Sequence, residues 1–349
     1  MTTTNIYLDH AATTPMLPAA RDAWLQGAAL WANPSSPHAA GRAARAALEE
    51  ARARVKAALG WQGEVLFTSG ASDALAIGLG RAKAQRRLVS AVEHDAVFRA
   101  APDAQVLPIE AGEVDTLALA EALGAPGRAV VAVQSINSET GTVLLASFAL
   151  IEQVRAAGGL FLADCSQSAG KASLPEADMV VVSAHKLGGP VGIGALLVRD
   201  FAMLEPSGGQ ERGYRAGTEN LPGALAFAAA LEAGGIASWA TSEDQRLAFR
   251  DRLADHGAVL EPGLQSAHIF AVAAPRLSAT AMLIRMDALG FAISAGSACS
   301  SGTLKPSRVL QGFAIDPDVA KRTVRVSIGW NTRGEDLDAF AAAWAQVNA

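Results

Sequence analysis

Beyond about residue 60 the chain alternates short apolar runs with polar turns. Residues 64–67, 87–92, 105–109, 128–133, 159–163, 179–182 and 193–198 are rich in Val, Leu, Ile and Ala. None has helical spacing, and such runs, bounded by Gly, Ser or Asp, predict buried strands. Between and around them lie helical stretches: an amphipathic Ala/Arg/Glu stretch at 41–59 ended by Gly60, an Ala/Leu stretch from residue 74, and further helices at 147–157 and 221–232. Strands alternating with helices predict an α/β sheet that is mostly parallel. After about residue 240 the texture changes: a helix at 243–256 is followed by short strands and helices that fit a separate small domain, with a strand at 324–329.

The polar turns sit where such a sheet binds ligands, outside the carboxyl ends of its strands. The strand at 179–182 runs into Ser183-Ala184-His185-Lys186, and the one at 159–163 into Asp164-Cys165-Ser166-Gln167. Thr68-Ser69-Gly70-Ala71-Ser72-Asp73 leads from a strand into a helix, where free amides and the helix dipole favour an anion. His94 follows the strand at 87–92, where it either caps a helix or stacks on a ligand and moves protons. Asn137-Ser138-Glu139 reaches the same rim. A pyridoxal phosphate site requires a lysine for the Schiff base, an acid beside the pyridinium nitrogen, and donors for the ring oxygen and the phosphate. Lys186, Asp164, Gln167, Ser183 and His185 make up such a set.

Composition narrows the class. Of the 349 residues half are hydrophobic and 18% charged, which describes a globular chain with room for a substantial core. A net charge of −5 gives no general attraction for nucleic acid or an anionic membrane, so neither is expected as a partner. No run reaches the length of a membrane span and the first residues lack signal-peptide character, so a cytoplasmic protein is expected. Two cysteines, Cys165 and Cys299, are too few for a disulfide framework or a closed zinc site, and no metal is expected. Cys165 adjoins an apolar strand and reads as inert. Cys299 lies among Gly, Ser and Ala, which cannot enclose it in apolar bulk, and reads as an exposed thiol. Arg325 stands in an apolar strand and needs a carboxylate partner, either a structural acid or a substrate.

Read together, these segments resemble the cysteine desulfurases of the class V aminotransferase group, which are fold-type I pyridoxal phosphate enzymes. Tyr7-Leu-Asp-His-Ala-Ala-Thr-Thr-Pro15, Asn33-Pro-Ser-Ser36, Phe67-Thr-Ser-Gly-Ala71, Glu93-His94, Ser183-Ala-His-Lys186, Arg215-Ala-Gly-Thr-Glu-Asn220, Gly296-Ser-Ala-Cys299 and Arg325-Val-Ser327 follow the family pattern in order. The resemblance spans nearly the whole chain. It implies a large cofactor-binding domain at 15–240, with a mixed, mostly parallel sheet and helices on both faces. A small α+β domain would comprise 1–14 and 241–349 and carry the cysteine loop. Lys186 would be the Schiff-base lysine, Asp164 the partner of the pyridinium nitrogen and Gln167 a donor to the ring oxygen. His94 would stack on the ring and transfer protons. Ala71, Ser72, Ser183 and His185 would hold the phosphate, with Thr218 reaching in from the partner subunit of a homodimer whose active site lies at the interface. Arg325, with Asn137 and Ser138, would bind the carboxylate of L-cysteine, and Cys299 would accept its sulfur for delivery to a sulfur-acceptor protein.

The chain departs from the family in several places. Ser138 stands where the family has a second asparagine, Asp164-Cys165-Ser166-Gln167 replaces a more usual Asp-Ala-Thr-Gln, and the segment after Gly70 is slightly short. The C-terminus lacks the extension by which some relatives dock an iron–sulfur scaffold. Iron–sulfur assembly, tRNA thiolation and other cofactor pathways all stay open as destinations of the sulfur. A selenocysteine lyase, another class V aminotransferase or β-lyase, and a non-catalytic binding partner are the alternative readings. An aminotransferase has no use for Cys299, and a non-catalytic relative is expected to have lost Lys186, Asp164 or Cys299.

Overall fold

A computed structural model describes residues 6–296 and 307–349. Its largest sheet has seven strands, in the spatial order Glu64–Thr68, Gly194–Val198, Met179–Ser183, Leu160–Asp164, Ala129–Gln134, Arg86–Ser90 and Gln105–Leu107. Gly194–Val198 runs antiparallel to both neighbours, and the remaining pairings are parallel. The four central strands from Gly194–Val198 to Ala129–Gln134 are buried at every position, which explains why they read in the sequence as continuous apolar runs. Apolar side chains cover both faces. Val131, Phe161 and Val180 join one core with helix Ala39–Ala58 and helix Leu221–Ala233. Val130, Leu162 and Val181 join a second core with helix Ala71–Gly80.

A further core gathers Leu8 with Phe249, Phe270, Met282, Val326, Phe340 and Trp344 around a four-stranded antiparallel sheet. Ile6–Tyr7 pairs in parallel with Phe291–Ala292, so the start of the chain is tied to its last third. Leu8 and Asp9 continue that link: Ser327 N donates to Leu8 O at 2.8 Å, and Asp9 bridges to Ser327. The loop that follows, residues 9–15, thereby reaches the carboxyl ends of the large sheet. Among the described residues no helix is long and apolar enough to cross a membrane.

One buried ion pair fastens the edge of the large sheet. Arg52, inside helix Ala39–Ala58, meets Glu211 with both ends of its guanidinium, at 2.7 and 3.2 Å. It also donates to Val65 O and lies 4.8 Å from the Phe67 ring centroid, while Glu211 accepts the Phe67 amide at 3.0 Å. Removing one member leaves the other charge buried without its partner. Glu211→Ala is therefore expected to cost about 3–5 kcal/mol of stability, read as a fall in the denaturant midpoint at unchanged slope.

Candidate active site

The carboxyl ends of the central strands open onto a cavity of about 700 Å³. Lys186 sits in a short 3-10 turn, Ala184–Lys186, directly after the strand Met179–Ser183. Its Nζ donates to Ala11 O at 2.5 Å and Ala12 O at 2.8 Å, so the N-terminal loop closes over the amine. Thr14 completes that contact: its amide donates to His185 O and its hydroxyl to Lys186 O. Burial, followed by the positive charge of Arg325, lowers the Lys186 pKa to about 8, against the opposing pull of Asp9 and Asp164. An amine so close to neutrality is a competent nucleophile toward a carbonyl.

Asp164 ends the neighbouring strand and lines the same cavity. Its Oδ1 accepts the amide and hydroxyl of Ser166, at 2.9 and 2.5 Å, which leaves Oδ2 for a ligand. Gln167 donates from Nε2 to Ala11 O at 2.9 Å, and its buried Oε1 has no partner among the described residues. His94 caps helix Asp95–Ala100, its Nδ1 accepting the Ala96 amide at 3.1 Å; Nε2 remains available on the cavity wall. Burial holds the His94 imidazole below its ordinary pKa, which favours the neutral ring. The capping reading of this histidine is thus observed, on a side chain that also lines the cavity.

The anion corner differs from expectation at one point. Helix Ala71–Gly80 begins three residues earlier than the Ala/Leu pattern predicts, so Ala71 and Ser72 occupy its first turn. Gly70 makes that early start possible, with φ at +148° and no side-chain cap above it. The sheet also runs close by: a Cβ on Gly194 would stand 2.9 Å from Gly70 Cα. Asp73 turns back to accept the Ser69 amide and hydroxyl, and among the described residues no side chain accepts from the amides of Ala71 and Ser72. Ser183 and His185 line the same cavity from the lysine strand, His185 with Nδ1 at 3.1 Å from Thr13 Oγ1 and, through burial, a pKa lowered to about 4.

Arg325 enters from the small antiparallel sheet and lines the cavity. Its carboxylate partner within the chain is Asp9, at 2.8 Å, itself held by Ser294 Oγ at 3.0 Å. Nη1 donates to Ser138 O at 2.9 Å, and the buried Nε has no partner among the described residues. Ser138 also lines the cavity, but Asn137 does not. Asn137 is fully buried, and its amide is spent within the fold: Nδ2 donates to Val92 O, and Oδ1 accepts from the amides of Glu139 and Thr140 and from Thr140 Oγ1. The expected substrate contact at Asn137 is therefore corrected: this residue builds the turn and does not face the site. Thr218 is exposed and does not line this chain's cavity. Cys299 lies outside the described residues. Cys165 is wholly buried, and burial pushes its thiol up to about 12, in keeping with an inert sulfur.

Two acids of the cavity were not anticipated as functional. Glu93 is fully buried; its Oε1 accepts from Ser90 Oγ at 2.5 Å and the Gln134 amide at 2.9 Å, and its Oε2 has no partner among the described residues. Burial raises its pKa to about 8. Glu139 is raised by burial to about 7. A folded-state acid that keeps its proton longer than the unfolded chain loses stability as pH rises from the ordinary carboxyl range to the raised value. Glu93→Gln, a neutral isostere, should accordingly flatten the fall in melting temperature between about pH 5 and pH 8. Thermal melts of both proteins across that range give the check, and parallel curves would contradict it.

Comparison with known proteins agrees with this geometry. Residues 6–340 match the family described as Aminotransferase class-V. A cysteine desulfurase of Frankia sp. (strain EuIK1) is 38% identical over 373 residues, covering 95% of this chain and 88% of that protein. A cysteine desulfurase of Cereibacter sphaeroides is 34% identical, covering 95% of this chain and 92% of the relative. Among solved structures, a NifS-like protein from Rickettsia africae ESF-5 superposes with a TM-score of 0.86 at 24% identity, over 98% of this chain and 99% of that one.

Proposed function

The chain belongs to the class V aminotransferase family, and from that premise we propose that it is a pyridoxal phosphate-dependent cysteine desulfurase, converting L-cysteine and a protein thiol to L-alanine and a persulfide. The observation that carries the reading is the convergence of Lys186, Asp164 and His94 on the cavity that Arg325 closes from the other sheet. The donor set suits the cofactor. Lys186 offers a near-neutral amine, Asp164 an unspent carboxylate oxygen, and the first turn of helix Ala71–Gly80 free amides for a phosphate. Gln167 Nε2, which spends one N–H on Ala11 O, keeps a second N–H with which it would donate to a ring oxygen.

When bound, pyridoxal phosphate supplies an electron sink for charge developing at the substrate Cα. The chain supplies the remainder. Asp164 provides negative charge beside the ring nitrogen. Arg325 fixes the substrate carboxylate with the N–H donors that Asp9 and Ser138 O leave free. Lys186, its amine poised near neutrality, takes and returns the proton at Cα, and His94 offers Nε2 for a proton at the substrate sulfur. The Cys299 thiolate then bonds to that sulfur as the carbon–sulfur bond breaks. Oxidation levels balance, because one sulfur leaves cysteine as alanine forms and is kept as a persulfide.

Two finer readings belong to the same proposal. Thr218, exposed and away from its own cavity, fits a residue that would serve the phosphate of a second copy in a homodimer. A sulfur-acceptor protein takes the sulfur onward from Cys299. The decisive experiment exposes the cofactor-loaded protein briefly to L-cysteine and reads it by mass spectrometry. One added sulfur on Cys299, with an equivalent of alanine released, is the expected result. Alanine without a protein-bound sulfur would point to a lyase, and keto acid instead of alanine to an aminotransferase.

A further inference from the structure

Asp9 stands where the N-terminal loop, the small sheet and the arginine of the cavity meet. Its side chain holds Arg325: Oδ1 accepts from Nη2 at 2.8 Å, and Oδ2 accepts the Ser294 hydroxyl at 3.0 Å. Both members of the ion pair are mostly buried, so salt screens it little. Arg325 lines the cavity and Asp9 does not, so the carboxylate grips the guanidinium from behind. With Nη1 on Ser138 O the arginine is fixed at two nitrogens, and its buried Nε has no partner among the described residues.

The backbone of Asp9 has a separate task. Its carbonyl accepts the Tyr7 hydroxyl and the Ala12 amide, both at 3.0 Å, and the Thr13 amide at 3.3 Å. That carbonyl opens the turn carrying Ala11 O and Ala12 O, the two acceptors of Lys186 Nζ. The strand Thr323–Ser327, which bears Arg325, secures the chain on either side of Asp9. Ser327 N donates to Leu8 O at 2.8 Å, and Ser327 Oγ accepts the Ala11 amide at 2.9 Å. One residue therefore ties the loop over the amine to the arginine.

We propose that Asp9 is a positioning residue: it aims Arg325 at the substrate carboxylate and holds that anchor in register with the loop over Lys186. The inference rests on the desulfurase reading, in which an amino acid brings its carboxylate to Arg325 and its amine to the cofactor on Lys186. Asp9 also acts on the lysine by charge. Asp9 and Asp164 favour the protonated amine and Arg325 disfavours it; His94, His185 and Lys171 are its other titratable neighbours. Removing the Asp9 charge should bring the Lys186 pKa below about 8. Loosening the loop alone would let water reach the amine and raise it towards the ordinary lysine value. The opposite signs separate the assigned role from a merely structural one.

The test compares Asp9→Ala and Asp9→Asn with the unchanged protein. L-Alanine binding is read from the absorbance of bound pyridoxal phosphate. The Lys186 adduct is read after loading the cofactor at a series of pH values and reducing with borohydride. Asparagine keeps an oxygen for Arg325 but no charge. A hydrogen bond to a charged group is worth roughly 10- to 100-fold in an equilibrium constant, so Asp9→Ala should weaken L-alanine binding by that factor and Asp9→Asn should restore most of it. In both variants the pH at which the adduct levels off should fall, by about half a unit or more. Ser294→Ala removes only the second hold on Asp9 and should weaken L-alanine binding less, which guards against misfolding of the Asp9→Ala protein. Unchanged L-alanine binding in Asp9→Ala, or an adduct profile in Asp9→Asn that does not move to lower pH, would overturn the inference and leave the desulfurase reading intact. An unchanged protein that takes up the cofactor but shows no absorbance change with L-alanine or L-cysteine would overturn the desulfurase reading, and the inference with it.

Discussion

Lys186→Ala should abolish turnover, lowering alanine release from L-cysteine on the order of 10⁴-fold, the upper range for loss of a positioned acid–base group. The expectation follows from the amine's surroundings. Its only described acceptors are two backbone carbonyls, Ala11 O and Ala12 O, and no carboxylate is bonded to it to hold the proton. Burial and Arg325 then bring its pKa to about 8. Among the described residues no neighbour offers a substitute amine at that position; Lys171, whose pKa burial lowers to about 7, is tied by Nζ to Gln167 O at 3.1 Å and does not line the cavity. The same geometry predicts a signature independent of turnover. Borohydride treatment of the protein after loading with pyridoxal phosphate should leave a covalent adduct on Lys186. Its yield should rise with pH and level off above about 8, as the amine loses its proton. An adduct confined to another lysine would remove Lys186 from its role.

What was legible in the sequence, and what was not, divides along physical lines. Buried central strands declare themselves because both faces need apolar side chains, and the runs at 129–134, 160–164, 179–183 and 194–198 carry little else. The residues at their carboxyl ends were equally readable, since the topology of such a sheet gathers them at one rim. Helix starts were less so. The helix predicted from 41 begins at Ala39, because His38 supplies a cap through Nδ1 to the Gly41 amide that composition does not advertise.

Roles set by partners distant in sequence were hidden. Arg325 was expected to need a carboxylate, but only the fold shows that Asp9, more than three hundred residues earlier, supplies one in the same chain. Asn137 and Ser138 are neighbours of similar polarity, and which of them faces the cavity depends on Val92 O lying beneath the turn. Glu93 and Glu139 gain their meaning from burial, and an isolated glutamate in a polar loop carries no mark of it.

Cys299→Ser should separate sulfur transfer from everything that precedes it. Serine keeps the size and polarity of the position but not its acidity. A cysteine thiol with an unperturbed pKa of about 8.5 provides some thiolate near neutrality, and a serine hydroxyl provides no comparable anion. Alanine release from L-cysteine should fall on the order of 1000-fold or more, as it does when other enzymes lose their nucleophile. The groups that hold the cofactor lie elsewhere, on the strands ending at Asp164 and Ser183 and the helix opening at Ala71, so its bound absorbance should be unaltered. Titration with L-cysteine should still perturb that absorbance, because Arg325 and Lys186 remain in place. Cys165 cannot stand in, being fully buried with its thiol raised to about 12. A Cys299→Ser enzyme that releases alanine at the original rate would show that sulfur leaves without a protein acceptor, and the reaction would then be a lyase reaction on the same cofactor.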